Sequence, residues 1–186
     1  MNSYCCSQQN TYVSGRRGKC APPKTCWGFD KLGLEDGSIP DASLSASSNY
    51  KGHQNSITAG CRLNKRPTGT NIGAWTPNVK DTNQWIQVDL DNPTYVTGVL
   101  TQGRFDDAAA TQWVTKYKVQ FEPPSPACLI DVKDQLGQTQ IFNGNTNKNG
   151  IEERRFFKPV LAVKIRIAPV EWNNHICLRF ELLGCE

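Results

Sequence analysis

Residues 171–185 read Glu-Trp-Asn-Asn-His-Ile-Cys-Leu-Arg-Phe-Glu-Leu-Leu-Gly-Cys, and residues 26–37 read Cys-Trp-Gly-Phe-Asp-Lys-Leu-Gly-Leu-Glu-Asp-Gly. The first stretch alternates apolar and polar residues from Ile176 onward and stops at Cys185, a pattern typical of a β-strand with one buried face. The second stretch starts at Cys26 and is broken by glycines, which favour turns. Together they predict an all-β domain and direct the search for function to loops rather than to a catalytic centre.

Short segments between these two stretches repeat the strand pattern. They are rich in Val, Ile, Thr and aromatic residues, and turn residues separate them. No segment keeps a helical period over several turns. Many short strands joined by turns predict an antiparallel sandwich or barrel. The predicted strands are residues 85–90, 96–101, 114–121, 161–167 and 176–183, with turns at residues 91–93, 122–126 and 143–150.

The length and the cysteine distribution divide the chain into two parts. A chain of 186 residues is long enough for one domain of ordinary size. Residues 1–25 are polar and basic, carry Cys5, Cys6 and Cys20, and show no sustained apolar period. We therefore predict an irregular cysteine-containing extension over residues 1–25 and a β domain over residues 26–186.

Charge and cysteine usage restrict the class of protein. The net charge of +4 is mild and the Lys and Arg residues are scattered, so we expect no nucleic-acid partner. The eight cysteines show no zinc-site spacing, and their even number suits disulfides in an oxidising compartment. Met1 is not followed by a charged and then apolar leader, so no signal peptide is visible, and no apolar run is long enough to span a membrane. We therefore expect a secreted mature protein.

An ordered series of motifs resembles the discoidin domain, the coagulation factor V/VIII C-type module. The series covers roughly residues 26–185, and so many anchors in order make the resemblance specific. The matching stretches are residues 32–41 (LGLEDGSIPD), 46–48 (ASS), 61–64 (CRLN), 73–75 (GAW), 84–90 (QWIQVDL), 96–104 (VTGVLTQGR), 113–119 (WVTKYKV), 142–145 (FNGN), 157–159 (FKP), 165–167 (IRI), Trp172 and 178–185 (LRFELLGC).

The resemblance implies a distorted jelly-roll barrel of antiparallel strands with three ligand-binding loops at one end. It also implies a disulfide between Cys26 and Cys185, which occupy the terminal cysteine positions of the family. The pairing of the other cysteines stays open, and the N-terminal flank is similar to the cysteine-bearing flanks of retinoschisin-like members, which serve in assembly. A disulfide-linked homo-oligomer is therefore one hypothesis. The unassigned cysteines are Cys5, Cys6, Cys20, Cys61, Cys128 and Cys177.

The first loop implied by the family is residues 49–56. It combines an aromatic face on Tyr50, the ammonium of Lys51 and the imidazole of His53. The amides of Gln54 and Asn55 add hydrogen-bonding groups, a mixture that suits a polar ligand such as a sugar. The alternative is a solvated loop whose tyrosine lies on the barrel.

The second loop, residues 64–73, offers Lys65 and Arg66 to a carboxylate, sulfate or phosphate, although a solvated basic turn is the plainer reading. The third loop, residues 103–113, carries further candidates. They are Arg104, Phe105, Asp106, Asp107 and Gln112.

Particular ligands can be weighed on the third loop. Arg104 stands where discoidin collagen receptors use an arginine, but the matching acid position is Gln112 and the matching tryptophan position is Tyr50, so collagen is not favoured. Asp106 and Asp107 could accept hydrogen bonds from sugar hydroxyls, pair with Arg104, or help to hold calcium. Two neighbouring carboxylates are a weak calcium signal, because such sites need about six oxygens or more. We expect no resident cofactor.

Other prominent residues are predicted to be structural. The tryptophans at positions 75, 85, 113 and 172 lie in family anchors and are expected to pack. Buried arginines need partners, and Asp89 and Glu181 are the acids we expect to serve Arg62, Arg166 or Arg179. His175 is expected to cap a turn.

Known catalytic motifs are absent from the sequence, since there is no nucleophile elbow, phosphate loop or metal cluster. We predict a non-enzymatic extracellular recognition or cell-adhesion module. It would bind a glycan or a cell-surface or matrix glycoprotein. The alternatives are peripheral binding to anionic phospholipid, for which Phe105 and Ile72 are the apolar tips besides Tyr50, and the disulfide-linked structural oligomer.

Overall fold

Eight β-strands make up about half of the residues that the structure describes. The computed structural model describes residues 30–50, 60–68, 72–105 and 111–185. A 3-10 turn at Asp41–Ser43 precedes the second strand. The strands are β1 (Asp30–Lys31), β2 (Leu44–Ala46), β3 (Ile86–Gln102), β4 (Trp113–Glu122), β5 (Ile130–Asp131), β6 (Ile141–Asn143), β7 (Glu152–Asn173) and β8 (Arg179–Cys185).

The strands form one continuous antiparallel sheet in the order β1-β8-β3-β7-β4-β5, with β2 on β3 and β6 on β4. Two long strands, β3 and β7, make this possible because each bends and pairs with different neighbours along its length. The first half of β3 pairs with β2 and β7, and its second half pairs with β7 and β8. The sheet thereby curls around one core, and the predicted all-β jelly-roll architecture is confirmed.

The predicted turn at residues 91–93 does not end a strand. Residues 86–102 form a single strand, β3, whose pairing register with β7 shifts between Asp89 and Thr94. The Asp-Asn-Pro run is therefore a bulge within a strand, which is where proline is tolerated in a sheet. The expected pair of strands at 85–90 and 96–101 is corrected to one bent strand.

The core is built from the alternating apolar positions of these strands. Val96, Val99, Ile165, Ile167 and Leu182 are almost fully buried in one cluster. An aromatic stack stiffens the cluster, because Tyr117 and Phe142 lie with ring centroids 5.4 Å apart and Phe142 lies 5.7 Å from Phe156. Burial alternates along part of β4, whereas residues 96–102 of β3 and 179–184 of β8 are buried at every position.

Of the two acids expected to serve the buried arginines, Asp89 interacts electrostatically with Arg166, whereas Glu181 accepts backbone N–H groups instead. Arg62 pairs with Asp41 and donates to the carbonyl of Leu34, and Arg166 stacks over Trp85. Arg179 donates only to carbonyl and amide oxygens among the described residues.

Glu181 has a different role from the one expected. Its carboxylate accepts the backbone N–H groups of Leu34, Glu35 and Leu182 at 3.1, 2.7 and 2.7 Å. Burial raises the pKa of this carboxyl above its usual range, although these three donors oppose the shift. Asp89 lies 3.7 Å from Lys164 and also interacts electrostatically with Arg166. Glu181 therefore fixes the residue 34–35 turn onto β8.

The described cysteines fall into two states. Cys61 and Cys177 are fully buried free thiols, so they do not belong to the disulfide framework that an even cysteine count favours. Cys185 is disulfide-bonded, and its partner is not among the described cysteines. Cys26 and the extension lie outside the described residues, so the Cys26–Cys185 pairing stays a prediction.

Candidate functional site

Strand ends converge at one end of the barrel, which we call the loop end. Gln102, the last residue of β3, pairs with Arg179, the first residue of β8. Trp113, the first residue of β4, pairs with Asn173, the last residue of β7. The third loop joins β3 to β4 at this end, and described residues of the other two loops, which belong to the connection between β2 and β3, meet it here: Tyr50 contacts His175, and Phe105 N–H donates to the Gly73 carbonyl.

A small pocket of about 150 Å³ opens among these loops. It is smaller than the ~300–1,000 Å³ pockets that enclose drug-sized molecules, so it can hold only part of a ligand. Residues from four separate stretches of the chain line it. They are Tyr50, Ile72, Thr76, Arg104, Gln112 and His175.

Tyr50 provides the aromatic side of the pocket. Its backbone N–H donates to the carbonyl of Thr76 at 2.8 Å, which fixes the start of the first loop. Its ring meets the ring of His175 edge to face, with centroids 5.9 Å apart. The tyrosine is 44% exposed, so part of this ring remains available to a ligand.

Arg104 and Gln112 form the polar side. The two residues bridge the base of the third loop twice, because Arg104 N–H donates to the Gln112 carbonyl at 3.0 Å and Arg104 Nη1 donates to Gln112 Oε1 at 2.9 Å. Gln112 Oε1 also receives the thiol of Cys177 at 3.5 Å, and that thiol lies 3.2 Å from the hydroxyl of Thr76. The guanidinium is thus held in a fixed position beside Tyr50.

His175 is held as a neutral side chain. Burial lowers the pKa of its imidazole, and the nearby positive charges of Lys80 and Arg104 lower it further, although a contact with the Ile176 carbonyl opposes them. Its Nδ1 lies 3.1 Å from that carbonyl oxygen. A neutral imidazole can donate one hydrogen bond and accept another. His175 was expected to cap a turn, whereas the structure places its ring in the pocket wall.

A basic ridge lies beside the pocket and is formed by Lys65, Arg66 and Phe105. The side chains of Lys65 and Arg66 are exposed and make no ion pair within the described residues. The guanidinium carbon of Arg66 lies 5.2 Å from the centroid of the Phe105 ring, and that of Arg179 lies 5.5 Å away. Phe105 is therefore half-buried under cations, and the expectation that it forms an exposed apolar tip is corrected.

Arg179 fixes the loops around this ridge from below. Its three guanidinium nitrogens donate to the carbonyls of Gly103, Lys65 and Lys148 at 2.7, 3.1 and 3.0 Å. Burial lowers the pKa of this guanidinium to about 10, which leaves it charged at neutral pH. One buried cation thereby sets the spacing of three connections at the loop end.

Six of the residues that the sequence singled out lie among the described residues of the loop end. Tyr50, Arg104 and Gln112 line the pocket, and Lys65, Arg66 and Phe105 form the ridge. Six other candidates fall outside the described residues and stay predictions. They are Lys51, His53, Gln54, Asn55, Asp106 and Asp107. Thr76 and His175 complete the pocket but were not proposed, because nothing local in the sequence marks them as neighbours of Tyr50, and Ile72 was named only as an apolar tip for membrane binding.

Within residues 30–50, 60–68, 72–105 and 111–185, no group of three or more His, Cys, Asp or Glu side chains could hold a metal ion. The same ranges contain no helix of the length and apolarity that a membrane crossing requires.

The chemistry of the pocket is that of recognition. An aromatic ring packs against the C–H face of a polar ligand, and a fixed guanidinium and a neutral imidazole supply hydrogen bonds. No described residue pairs a nucleophile with a base here, since burial raises the pKa of the Cys177 thiol to about 11. The site can bind and orient a ligand.

Comparison with known proteins bears on these observations. The family model of the F5/8 type C domain matches residues 43–182. Mouse lactadherin is 37% identical over 158 residues, which cover 84% of this chain and 33% of lactadherin. Mouse retinoschisin is 35% identical over 157 residues, which cover 83% of this chain and 67% of retinoschisin.

Solved structures agree with the sequence match. Discoidin II from Dictyostelium discoideum superposes with a TM-score of 0.64 at 29% identity, over 76% of this chain and 53% of that chain. A Clostridium perfringens module solved in complex with GalNAc-beta-1,3-galactose superposes with a TM-score of 0.56 at 12% identity, over 80% of this chain and 99% of the module. The latter likeness concerns the fold alone. The chain spans about a third of lactadherin and about half of the discoidin II chain.

Proposed function

Because the chain belongs to the F5/8 type C (discoidin) domain family, we propose that it is an extracellular recognition and adhesion module that binds a glycan or a glycoprotein through its loop end. The observation that carries this proposal is the pocket between Tyr50 and Arg104. It offers an exposed aromatic face beside a guanidinium that a double hydrogen bond to Gln112 holds in place.

Sugars suit this arrangement for a physical reason. One face of a pyranose is rich in C–H groups and packs on an aromatic ring, while its hydroxyls need donors and acceptors in fixed directions. Tyr50 supplies the ring, and Arg104 and His175 supply the polar groups. The pocket volume of about 150 Å³ suits one sugar unit at the end of a longer chain.

The fold supports this assignment in a general way. A relative of the same fold has been solved with a GalNAc-galactose disaccharide, so the barrel can present a sugar site. Fold alone does not determine function, and the ligand of this chain follows from its own loops. The sugar site proposed here belongs to this domain. If a larger protein carries the domain, the same hypothesis holds that this protein adheres through the sugar site.

A glycan array tests the proposal with three proteins: the wild type, Tyr50→Ala with Arg104→Ala, and Phe157→Ala as a matched control. Phe157 is an aromatic residue that is 51% exposed, close to the exposure of Tyr50, and it lies away from the pocket. We expect wild type and the Phe157 variant to bind the same defined sugar class, and the double variant to lose at least tenfold in affinity. An array on which wild type binds nothing, or on which the double variant binds like wild type, would contradict the proposal.

Anionic phospholipid is the second candidate, and the basic ridge favours it. Lys65 and Arg66 are exposed and carry charges that no acid neutralises within the described residues. Basic residues near an anionic bilayer contribute about 1 kcal/mol each, and salt screens this attraction. Insertion of side chains into the bilayer adds little to the free energy of binding, since Phe105 is half-buried and Tyr50 prefers the membrane interface.

Sedimentation with vesicles separates the two candidates. We expect little binding to vesicles of neutral lipid and weak, salt-sensitive binding to vesicles that contain phosphatidylserine if the ridge meets a membrane. Binding that survives high salt would indicate insertion. A silent glycan array together with strong vesicle binding would replace the first candidate with the second.

A further inference from the structure

A larger groove lies along the bulge of β3, far from the pocket. Its volume is about 400 Å³. Thr94 stands eight positions before Gln102, the end of β3 at the loop end, which corresponds to about 26 Å at ~3.3 Å per residue. The groove is lined by Leu32, Ser38, Ile39, Pro40, Ser43, Asp89, Leu90, Asp91, Asn92, Pro93 and Thr94.

The groove combines an apolar floor with negative charge. Leu32, Ile39 and Leu90 are only partly buried there, so the groove leaves apolar surface uncovered. Asp91 is exposed and makes no ion pair within the described ranges, while Asp89 lies 3.7 Å from Lys164 and also interacts electrostatically with Arg166. Such a surface suits a segment that is basic and carries a few apolar residues.

The chain itself delivers such a segment to this place. β1 begins at Asp30, which pairs with Gly184, and the neighbouring Cys185 pairs with Tyr95. Leu32 of the groove lies over Gly184, since a Cβ built on that glycine would come within 3.1 Å of the leucine side chain. Residues 1–29 therefore join the described domain beside the groove.

Cys185 is disulfide-bonded, and its partner is none of Cys61, Cys128 and Cys177. The remaining cysteines of the chain all lie within residues 1–29. A disulfide from Cys185 to Cys26, the pairing that the resemblance implies, would hold residues 1–29 next to Thr94 of the groove in addition to β1.

The charge of the segment complements the groove. Residues 1–29 contain no Asp or Glu, and their four basic residues are Arg16, Arg17, Lys19 and Lys24. Lys24 lies six residues before Asp30, a distance of at most ~20 Å in extended chain. Lys24 and Lys19 can therefore reach the carboxylates of the groove from the point where the chain enters.

We propose that residues 1–29 dock into the groove along the β3 bulge of their own chain, with Lys19 and Lys24 facing Asp91 and Asp89. The docked segment covers the apolar floor and neutralises its carboxylates. This contact holds the cysteine-bearing extension in a fixed position at the end of the barrel opposite the ligand loops. It is independent of what the loop end binds.

Zero-length cross-linking of the intact protein tests the contact directly. A carbodiimide joins a lysine to a carboxylate only where the two groups touch, and mass spectrometry after reduction identifies the joined peptides. We expect Lys19 or Lys24 to be joined to Asp89 or Asp91 within monomers, at least fivefold more often than to Glu171, an exposed acid outside the groove. The same links found only in covalent dimers would show that a second copy fills the groove and would overturn the proposal.

Tryptic cleavage supplies a second, independent readout. The double variant Asp89→Asn with Asp91→Asn is compared with Glu171→Gln, once the two variants are shown to have equal melting temperatures. We expect cleavage after Arg17, Lys19 and Lys24 to be several-fold faster in the double variant, and faster in wild type at high salt. Equal cleavage rates in all three proteins, together with no cross-link to the groove, would exclude docking in this groove.

Discussion

Tyr50 and His175 meet edge to face, with ring centroids 5.9 Å apart and ring planes at 87°, although one precedes the first loop and the other follows β7. The contact joins the two sides of the candidate pocket. It also explains why the imidazole is half-buried, since the tyrosine and the surrounding loops exclude water from it. The electrostatic consequence is a pKa below the ordinary histidine value.

The lowered pKa of His175 predicts that the free energy of unfolding depends on pH. The folded state holds His175 neutral, whereas the unfolded chain protonates it near its ordinary pKa of 6.5. The stabilising contribution is therefore complete above pH 6.5 and is lost as pH falls through the lower folded-state pKa. We expect the melting temperature of wild type to fall more between pH 7 and pH 5 than that of His175→Asn. His53→Asn, which alters the chain's other histidine, is the control and should behave like wild type.

The bridge between Arg104 and Gln112 predicts that a substitution of Gln112 weakens ligand binding but changes the stability of the fold little. Gln112→Leu removes the acceptor of Arg104 Nη1 but leaves the backbone bridge of the third loop intact. We expect sugar binding to weaken about fivefold to twentyfold, because a guanidinium without its partner no longer points in one direction. Circular dichroism and the melting temperature should change little. A large loss of stability with unchanged affinity would mean that Gln112 serves folding and not ligand orientation.

Glu181 supports the strongest stability prediction. Its two carboxylate oxygens accept three backbone N–H groups, and Glu181→Gln turns one oxygen into an NH₂ donor that faces the N–H of Glu35. Leaving a buried donor without an acceptor costs about 1–3 kcal/mol. For a domain of this size we expect the melting temperature to fall by roughly 2–4 °C per kcal/mol. Glu171→Gln breaks an exposed pair with Lys116 and should shift it by less than about 2 °C.

The same regions show what the sequence could and could not predict. Period-two alternation in residues 114–121 and 161–167 is a local property, and it identified both strands and their buried faces. The partners of Arg179 and Glu181 were missed because they are backbone groups of distant loops, which carry no residue-type signal. His175 was missed for a related reason, since only the pairing of β4 with β7 brings its turn beside the third loop.

Cysteine chemistry separates the described thiols by burial. Burial raises the pKa of Cys61 to about 12 and that of Cys177 to about 11, so the reactive thiolate is scarce at neutral pH. Cys128 is a half-buried thiol. We expect iodoacetamide at pH 7.5 to modify Cys128 at least tenfold faster than Cys61 or Cys177 in the native protein. In denaturant the three rates should converge. Fast labelling of Cys177 without denaturant would show that the pocket wall opens readily.

Substitution of Lys65 and Arg66 tests whether the ligand is neutral or anionic. If the basic ridge contacts the ligand, Lys65→Gln with Arg66→Gln should weaken binding to an acidic glycan or to phosphatidylserine vesicles about tenfold, and the remaining binding should depend less on salt. A neutral sugar should bind the variant and wild type within about twofold. Lys133→Gln with Lys158→Gln removes the same charge away from the loop end and is the matched control. An equal loss in both variants would trace the effect to net charge and not to the ridge.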